Sequence, residues 1–229
     1  MKAGAVAAPF AVLWDMDGVL VDSAPYHQRA WRETLAEEGV LLDEASFRHT
    51  FGRRNDAIIA YVLGTEVSPE RASSIGEAKE RRYRALIAQE GIAPLPGVME
   101  WLGRLHNRGI PQAIVSSAPL ANVSAVLQAL GLAHLFRSIV SAEDVRYGKP
   151  DPEGFLLAAR RLGMPPQRCL VVEDAPAGVE GARQAGMHCL ALSTTHPPEA
   201  LATADLIVAS LDHLPPDTFA RLEPATGEG

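Results

Sequence analysis

The sequence predicts an α/β protein: a doubly wound parallel-sheet core, Rossmann-like in style, with a helical insertion near its start. Short runs rich in Val, Ile and Leu recur without apolar/polar alternation, as strands covered on both faces require. From about Ile92 onward, helical patterns with recognisable ends alternate with those runs. The stretch 24–91 breaks the alternation and is helical in pattern throughout.

The first strand is FAVLW, 10–14. Its style matches five later runs at 110–117, 138–143, 168–174, 187–193 and 205–210, so it belongs in their sheet. Helices are predicted between those runs at 98–108, 120–130, 152–162 and 177–185. Asp151 followed by Pro152 reads as an N-cap with Pro at the first helical position. Gly109, Gly131, Gly163 and Gly186 stand where C-terminal caps belong. Repeated βα units of this kind build a doubly wound sheet. The insertion reads as four helices, at 25–38, 43–50, 55–63 and 69–89, the last capped by Ser68-Pro69. GIAPLPGV, 91–98, is the return linker. The core is therefore 1–23 with 92–229, and the insertion is 24–91. The terminal EPATGEG reads as a frayed tail.

The bulk composition narrows the function. With 21 basic against 28 acidic residues, the net charge is −7. Binding to nucleic acid or a membrane surface needs a basic face, so neither is expected. Cys169 and Cys189 each fall in a predicted buried strand, form no CxxC and read as small core residues. They suit a reducing cytoplasm. The opening MKAGAVAAPFAVLW carries one Lys and runs directly into Asp15, so it reads as a ragged start plus a strand rather than a leader. No segment approaches the roughly 18 apolar residues of a membrane span.

Ligands of open α/β sheets bind at the carboxyl ends of the strands. Here those ends carry chemistry. The first strand ends in Asp15 and Asp17, the strand through Val115 in Ser116, and the strand through Val172 in Glu173 and Asp174, while Lys149 lies in the loop YGKPDP. Gathering carboxylates beside an apolar core is costly unless a cation or a reaction uses them. Asp15, Asp174 and Glu173 are hard oxygen donors that suit Mg²⁺. One carboxylate can act as a nucleophile. Asp17, two residues on in a turn, can serve as general acid and then base. Ser116 can donate to a phosphoryl oxygen, and Lys149 can neutralise charge on nucleophile and phosphate.

Each residue alone has a bland reading of equal weight. Asp-x-Asp-Gly is also a common turn, and it lacks the upstream spacing of an EF-hand loop. Lys149 follows no phosphate-binding GxxxxGK, so alone it is a solvated loop lysine. Ser116 alone could cap the helix that begins near Pro119. Taken together, in this order and each after a strand, they make coincidence improbable.

DMDGVLVDS, IVSSAP, GKPDP and VVEDAPAG resemble the four ordered motifs of the haloacid dehalogenase superfamily. They resemble in particular its branch with a small helical cap between motifs one and two, the beta-phosphoglucomutase-like phosphatases. The match covers nearly the whole chain. The resemblance implies Asp15 as nucleophile, Asp17 as acid and base, and Ser116 and Lys149 as stabilisers of phosphate and nucleophile. It implies Mg²⁺ held by Asp15, the backbone carbonyl of Asp17, and Asp174, with Glu173 in support. The dehalogenases and the phosphonate-cleaving branch lack an acidic residue at the place of Asp17, which points to phosphate esters.

In such a family the cap sets specificity. His27, Trp31 and Leu35 fall on one helical face, so His27 is either a half-buried structural histidine or a group near the substrate. Arg53, Arg54, Lys79, Arg81 and Arg82 are mostly expected to be solvated charges. By resemblance Arg54 and Lys79, with His27 and Ser117, are the candidate substrate contacts. In the mutase a Lys-Asn pair begins three residues after the motif-two Ser and helps bind a second phosphate. Here Pro119-Leu120 stands in that place. The expectation is a monomeric phosphatase acting on a small phosphorylated metabolite, a sugar or polyol phosphate. A mutase is second, and a non-catalytic binding protein on the same fold is third.

Overall fold

The computed structural model describes residues 10–51, 53–64, 66–215 and 217–221. The expectations for the extreme N-terminus and for the EPATGEG tail fall outside the described residues.

Six strands form one parallel sheet: β1 (Ala11–Trp14), β2 (Gln112–Val115), β3 (Ser138–Val140), β4 (Cys169–Glu173), β5 (His188–Leu192) and β6 (Leu206–Val208). Their spatial order is β3-β2-β1-β4-β5-β6, with β1 in the interior. Leu13 pairs with Ala113 on one side and Val171 on the other, so the register sets the ends of β1, β2 and β4 beside one another.

The Val/Ile/Leu-rich runs form central strands because both faces are covered. Val12, Trp14, Ile114, Leu170, Val172 and Leu190 face one layer. There α5 (Val98–Asn107) and α6 (Leu120–Leu130) pack on the sheet. Leu13, Ala113, Val115, Val171 and Ala191 face the other layer, under α7 (Glu153–Leu162) and α8 (Pro176–Gln184). A side chain every second residue reaches each face, as the pleat demands. Cys169 and Cys189 are free and buried in the second layer. Gln112, in β2, is fully buried and polar, and it is satisfied. Its Oε1 accepts from Trp14 Nε1 at 3.0 Å, and its Nε2 donates to the Leu102 carbonyl at 3.1 Å.

Between β1 and α5 come α1 (Ala24–Glu37), α2 (Glu44–Thr50), α3 (Asn55–Leu63) and α4 (Pro69–Glu90). They bury their own cluster around Trp31, Leu35, Phe47, Ile59 and Ile75. Asp43 and Ser68 cap α2 and α4, accepting from Ser46 N at 2.6 Å and Arg71 N at 3.3 Å. The chain re-enters the core at Gly97, whose φ of 81° and close approach to the Leu211–Asp212 backbone leave no room for a side chain. A short α9 (Thr218–Arg221) follows β6.

Element boundaries shift slightly from expectation. Predicted strand 138–143 stops at Val140, because Ser141 and Asp144 close a capping box and turn the chain. Helix α7 starts at Glu153 with Pro152 as N-cap, and Asp151 Oδ1 accepts from Glu153 N at 2.9 Å from just outside. Among the described residues, no helix is long and apolar enough to cross a membrane.

Candidate active site

Parallel pairing aligns the carboxyl ends of β1, β2 and β4, so Asp15, Ser116 and Asp174 each follow a strand at one edge of the sheet. Asp15 N donates to the Val172 carbonyl at 2.9 Å, which extends the β1–β4 ladder up to the carboxylate. The chain then turns. Gly18 N donates to the Val21 carbonyl at 2.8 Å, and Gly18 sits at φ 81°. A Cβ on Gly18 would collide with the Asp174 carboxylate, so only glycine lets these two strand ends approach.

Lys149 joins the charged groups. Its ammonium donates to Asp15 Oδ1, to Glu173 Oε1 and, at 3.0 Å, to the Val115 carbonyl. Asp15, Glu173 and Asp174 are 7%, 1% and 4% exposed, so the cluster is out of water. Burial holds the Asp15 carboxyl well above its ordinary value against the pull of Lys149, with Glu173 and Asp174 adding repulsion. Burial and then Glu173 raise Asp174 to about 7. Burial alone would depress the Lys149 ammonium, but the charges of Asp15 and Glu173 outweigh it and raise it.

Three buried carboxylates against one ammonium are under-compensated. Oxygen atoms of Asp15, Glu173 and Asp174 lie within 4.8 Å of one another, close enough to share a cation. Lys149 occupies Asp15 Oδ1, and the Thr195 hydroxyl donates to Asp174 Oδ2. Asp15 Oδ2 and Asp174 Oδ1 thus remain for a hard cation, and the donor set fits a divalent ion. Glu173 is tied down differently: its Oε2 accepts from the backbone N of Asp174 at 3.1 Å and of Ala175 at 3.3 Å.

Asp17 points away from this cluster, toward α1. Its Oδ1 accepts from the Ser23 hydroxyl and lies 3.7 Å from His27 Nε2. Burial pushes the Asp17 carboxyl up, but the His27 ring 3.7 Å away, with the Ser23 hydroxyl, holds it below its ordinary value. Ser116 is buried and its Oγ accepts from Ala118 N at 3.1 Å, so it shapes the turn before α6 rather than capping that helix. Its hydroxyl proton remains available. Ser117 lies beside it in the wall of the cleft.

That cleft, about 1060 Å³, opens between the strand ends and α1–α4. The structure brings Asp15, Asp17, Lys149, Glu173, Asp174 and Ser117 to it. His27 and Lys79 also line it, but both are buried and face each other, with Lys79 Nζ 2.7 Å from His27 Nδ1. Burial lowers the pKa of each, for His27 together with the neighbouring Lys79 charge. Arg54 stands at the exposed rim, 3.6 Å from Asp56, apart from the buried carboxylates. Pro119 lines the same lip, and Leu120 beside it is 46% exposed.

Sequence reading missed three residues. Thr195, in the loop after β5, grips Asp174. Glu80 and Asn122 are buried polar groups that pair across α4 and α6 at 2.5 Å. The only sequence signal was a polar residue at a helix position surrounded by apolar ones, as in LANV for Asn122.

A family model described as haloacid dehalogenase-like hydrolase matches residues 11–186. Validoxylamine A 7'-phosphate phosphatase of Streptomyces hygroscopicus subsp. limoneus is 35% identical over 201 residues, covering 87% of this chain and 92% of that protein. Hexitol phosphatase A of Escherichia coli (strain K12) is 35% identical over 205 residues, covering 88% and 91%. The crystal structure of beta-phosphoglucomutase from Clostridium difficile superposes with a TM-score of 0.82 at 28% identity, covering 93% of this chain and 96% of that one. Strand order, motif positions and these matches agree: the chain belongs to the haloacid dehalogenase-like hydrolases, among the beta-phosphoglucomutase-like phosphatases.

Proposed function

We propose that this protein hydrolyses a small phosphomonoester of a sugar or polyol, through an aspartyl phosphate on Asp15, with Mg²⁺ as cofactor. The observation that carries the reading is the buried cluster of Asp15, Lys149, Glu173 and Asp174 beneath a cleft that Asp17 also faces. Residues 24–91 serve as the cap over that cleft.

Asp15 attacks phosphorus with Oδ1, the oxygen that Lys149 holds. The new Asp15–phosphorus bond forms as the ester oxygen departs, and Asp17 supplies the proton to that oxygen. Asp17 rests as a carboxylate, and an arriving phosphate dianion pushes its pKa back up, readying it as the acid. In the second half Asp17 takes a proton from water, which attacks phosphorus and frees inorganic phosphate and Asp15. Lys149 holds the nucleophile in place and offsets the charge gathering on the phosphoryl oxygens. Ser116 donates its remaining proton to one of those oxygens, and Ser117 lies within the same wall. Asp15, Asp174 and the Asp17 carbonyl would hold Mg²⁺, with Glu173 in support; bound there, the ion neutralises phosphoryl charge.

One relative, matched over 88% of this chain, is a hexitol phosphatase, which favours a polyol or sugar phosphate as substrate. The likeness to a beta-phosphoglucomutase keeps a mutase as second reading. Against it, Pro119 at the cleft edge and Leu120 after it stand where the mutase has its Lys-Asn pair.

The test is a phosphorus NMR time course with Mg²⁺, a mixture of hexose, pentose and hexitol phosphates, and a trace of beta-glucose 1,6-bisphosphate. Growth of inorganic phosphate at the expense of one ester is expected. Interconversion of 1- and 6-phosphates without free phosphate would replace the phosphatase reading with the mutase.

A further inference from the structure

The helices of 24–91 meet the core at Asn122, a fully buried residue of α6. Both ends of its amide face α4. Asn122 Nδ2 donates to Glu80 Oε2 at 2.5 Å, and Asn122 Oδ1 accepts from Arg84 Nη1 at 2.9 Å. Glu80 and Arg84 are four apart in sequence and so share one face of their helix. The amide cannot flip without setting two donors together and two acceptors together, so its orientation is fixed.

The contact continues into the cleft. Glu80 Oε1 accepts from Asn55 Nδ2 at 2.8 Å and from Lys79 Nζ at 3.0 Å. Lys79 Nζ lies 2.7 Å from His27 Nδ1. An ammonium has donors only, so Nδ1 must accept, and the ring proton of neutral His27 must sit on Nε2. That nitrogen is the one 3.7 Å from Asp17 Oδ1. Tyr83 lies flat on the His27 ring, with centroids 4.0 Å apart and planes 8° from parallel, and fixes its plane.

We propose that Asn122 is a positioning residue for Asp17. By anchoring Glu80 and Arg84 it sets α4 in register with the core, and Glu80 then holds Lys79 so that His27 presents Nε2–H to the acid/base carboxylate. The proposal rests on the reading of Asp17 as acid and base. It predicts a chemical-step defect, because the phosphate-facing groups Asp15, Ser116 and Lys149 are not part of this path.

Two measurements test it. The first needs no activity: ¹⁵N NMR of the histidine ring nitrogens in the full chain, with the His27 signals assigned by their loss in His27→Gln. The wild type should show the Nε2–H tautomer for His27. Asn122→Ala and Glu80→Gln should each show a mixture of tautomers. The second is steady-state turnover of the best ester. Each variant should lose about tenfold in kcat, a part of the 10²–10⁴ that general acid–base catalysis supplies, with KM changed less than about threefold. In a His27→Ala background, Asn122→Ala should cost nothing further. If Asn122→Ala does not fold, Glu80→Gln, which keeps the side-chain shape, decides alone. An unchanged tautomer, or equal losses with and without His27, would overturn the proposal. Absence of turnover in the wild type would instead sink the phosphatase reading, and the tautomer result would still decide whether Asn122 acts through His27.

Discussion

The ammonium of Lys149 rests on the carboxylate of Asp15, a residue 134 positions away in the chain. The same ammonium bridges to Glu173, so one cation ties the ends of β1 and β4 together. A cluster of three buried carboxylates tolerates this closeness only with positive charge among them.

Lys149→Met should therefore unfold more easily, by about 3 kcal/mol, the usual cost of leaving a buried charge without its partner. Added Mg²⁺ should restore part of that loss, because a bound cation replaces some of the missing charge. Urea unfolding with and without Mg²⁺ measures both, and an unchanged midpoint would remove Lys149 from its bridging role.

Thr195 holds Asp174 Oδ2 and leaves the other oxygen facing the cleft. Thr195→Val keeps the shape and removes the hydroxyl. It should weaken Mg²⁺ binding by about tenfold, the lower range for a lost partner behind a metal ligand. Isothermal titration calorimetry reads this directly.

Gly178 sits in the first turn of α8, where an added Cβ would collide with the Glu173 carboxylate. Helix propensity alone says that Gly178→Ala should stabilise by up to about 1 kcal/mol. The collision reverses the sign: overpacking costs about 1–3 kcal/mol. Thermal melting should show a lower Tm, and turnover should fall because Glu173 and Lys149 are displaced together.

Asp144 tests the pH dependence at a place remote from the cleft. A hydrogen bond from Arg161 first, then the Ser141 backbone, hold its carboxyl below the ordinary 3.8. A depressed carboxyl stabilises the fold above its unfolded-state pKa and loses that contribution as pH falls through the folded value. Asp144→Asn should cost no more than about 1 kcal/mol at neutral pH, since the site is partly exposed. The difference from wild type should vanish in acid below the folded pKa.

Much of this site is legible in the chain because central parallel strands are apolar from end to end. The first polar residue after such a run, as at Asp15, Ser116 and Asp174, marks the strand end and the ligand edge at once. Pairings that depend on tertiary packing leave no such mark. Asn122 and Glu80 lie 42 positions apart on two helices, and nothing local in either helix says that they meet. Thr195 is one threonine among several polar loop residues, and its meeting with Asp174 depends on a distant glycine, since a Cβ on Gly18 would collide with both. Lys79 stands out from its charged neighbours Arg81 and Arg82 only by resemblance, and nothing local in the sequence shows that it is 3% exposed, over the rings of Trp31 and Tyr83.

Turnover should pass through a covalent phosphoryl group on Asp15. This is tested most directly by quenching the enzyme during turnover of its ester, reducing with borohydride and sequencing by mass spectrometry. Reduction of an acyl phosphate at this position converts the aspartate to homoserine, and that change is expected at residue 15 and at no other carboxylate. Steady turnover with an unmodified Asp15, or with homoserine at residue 17, would contradict it.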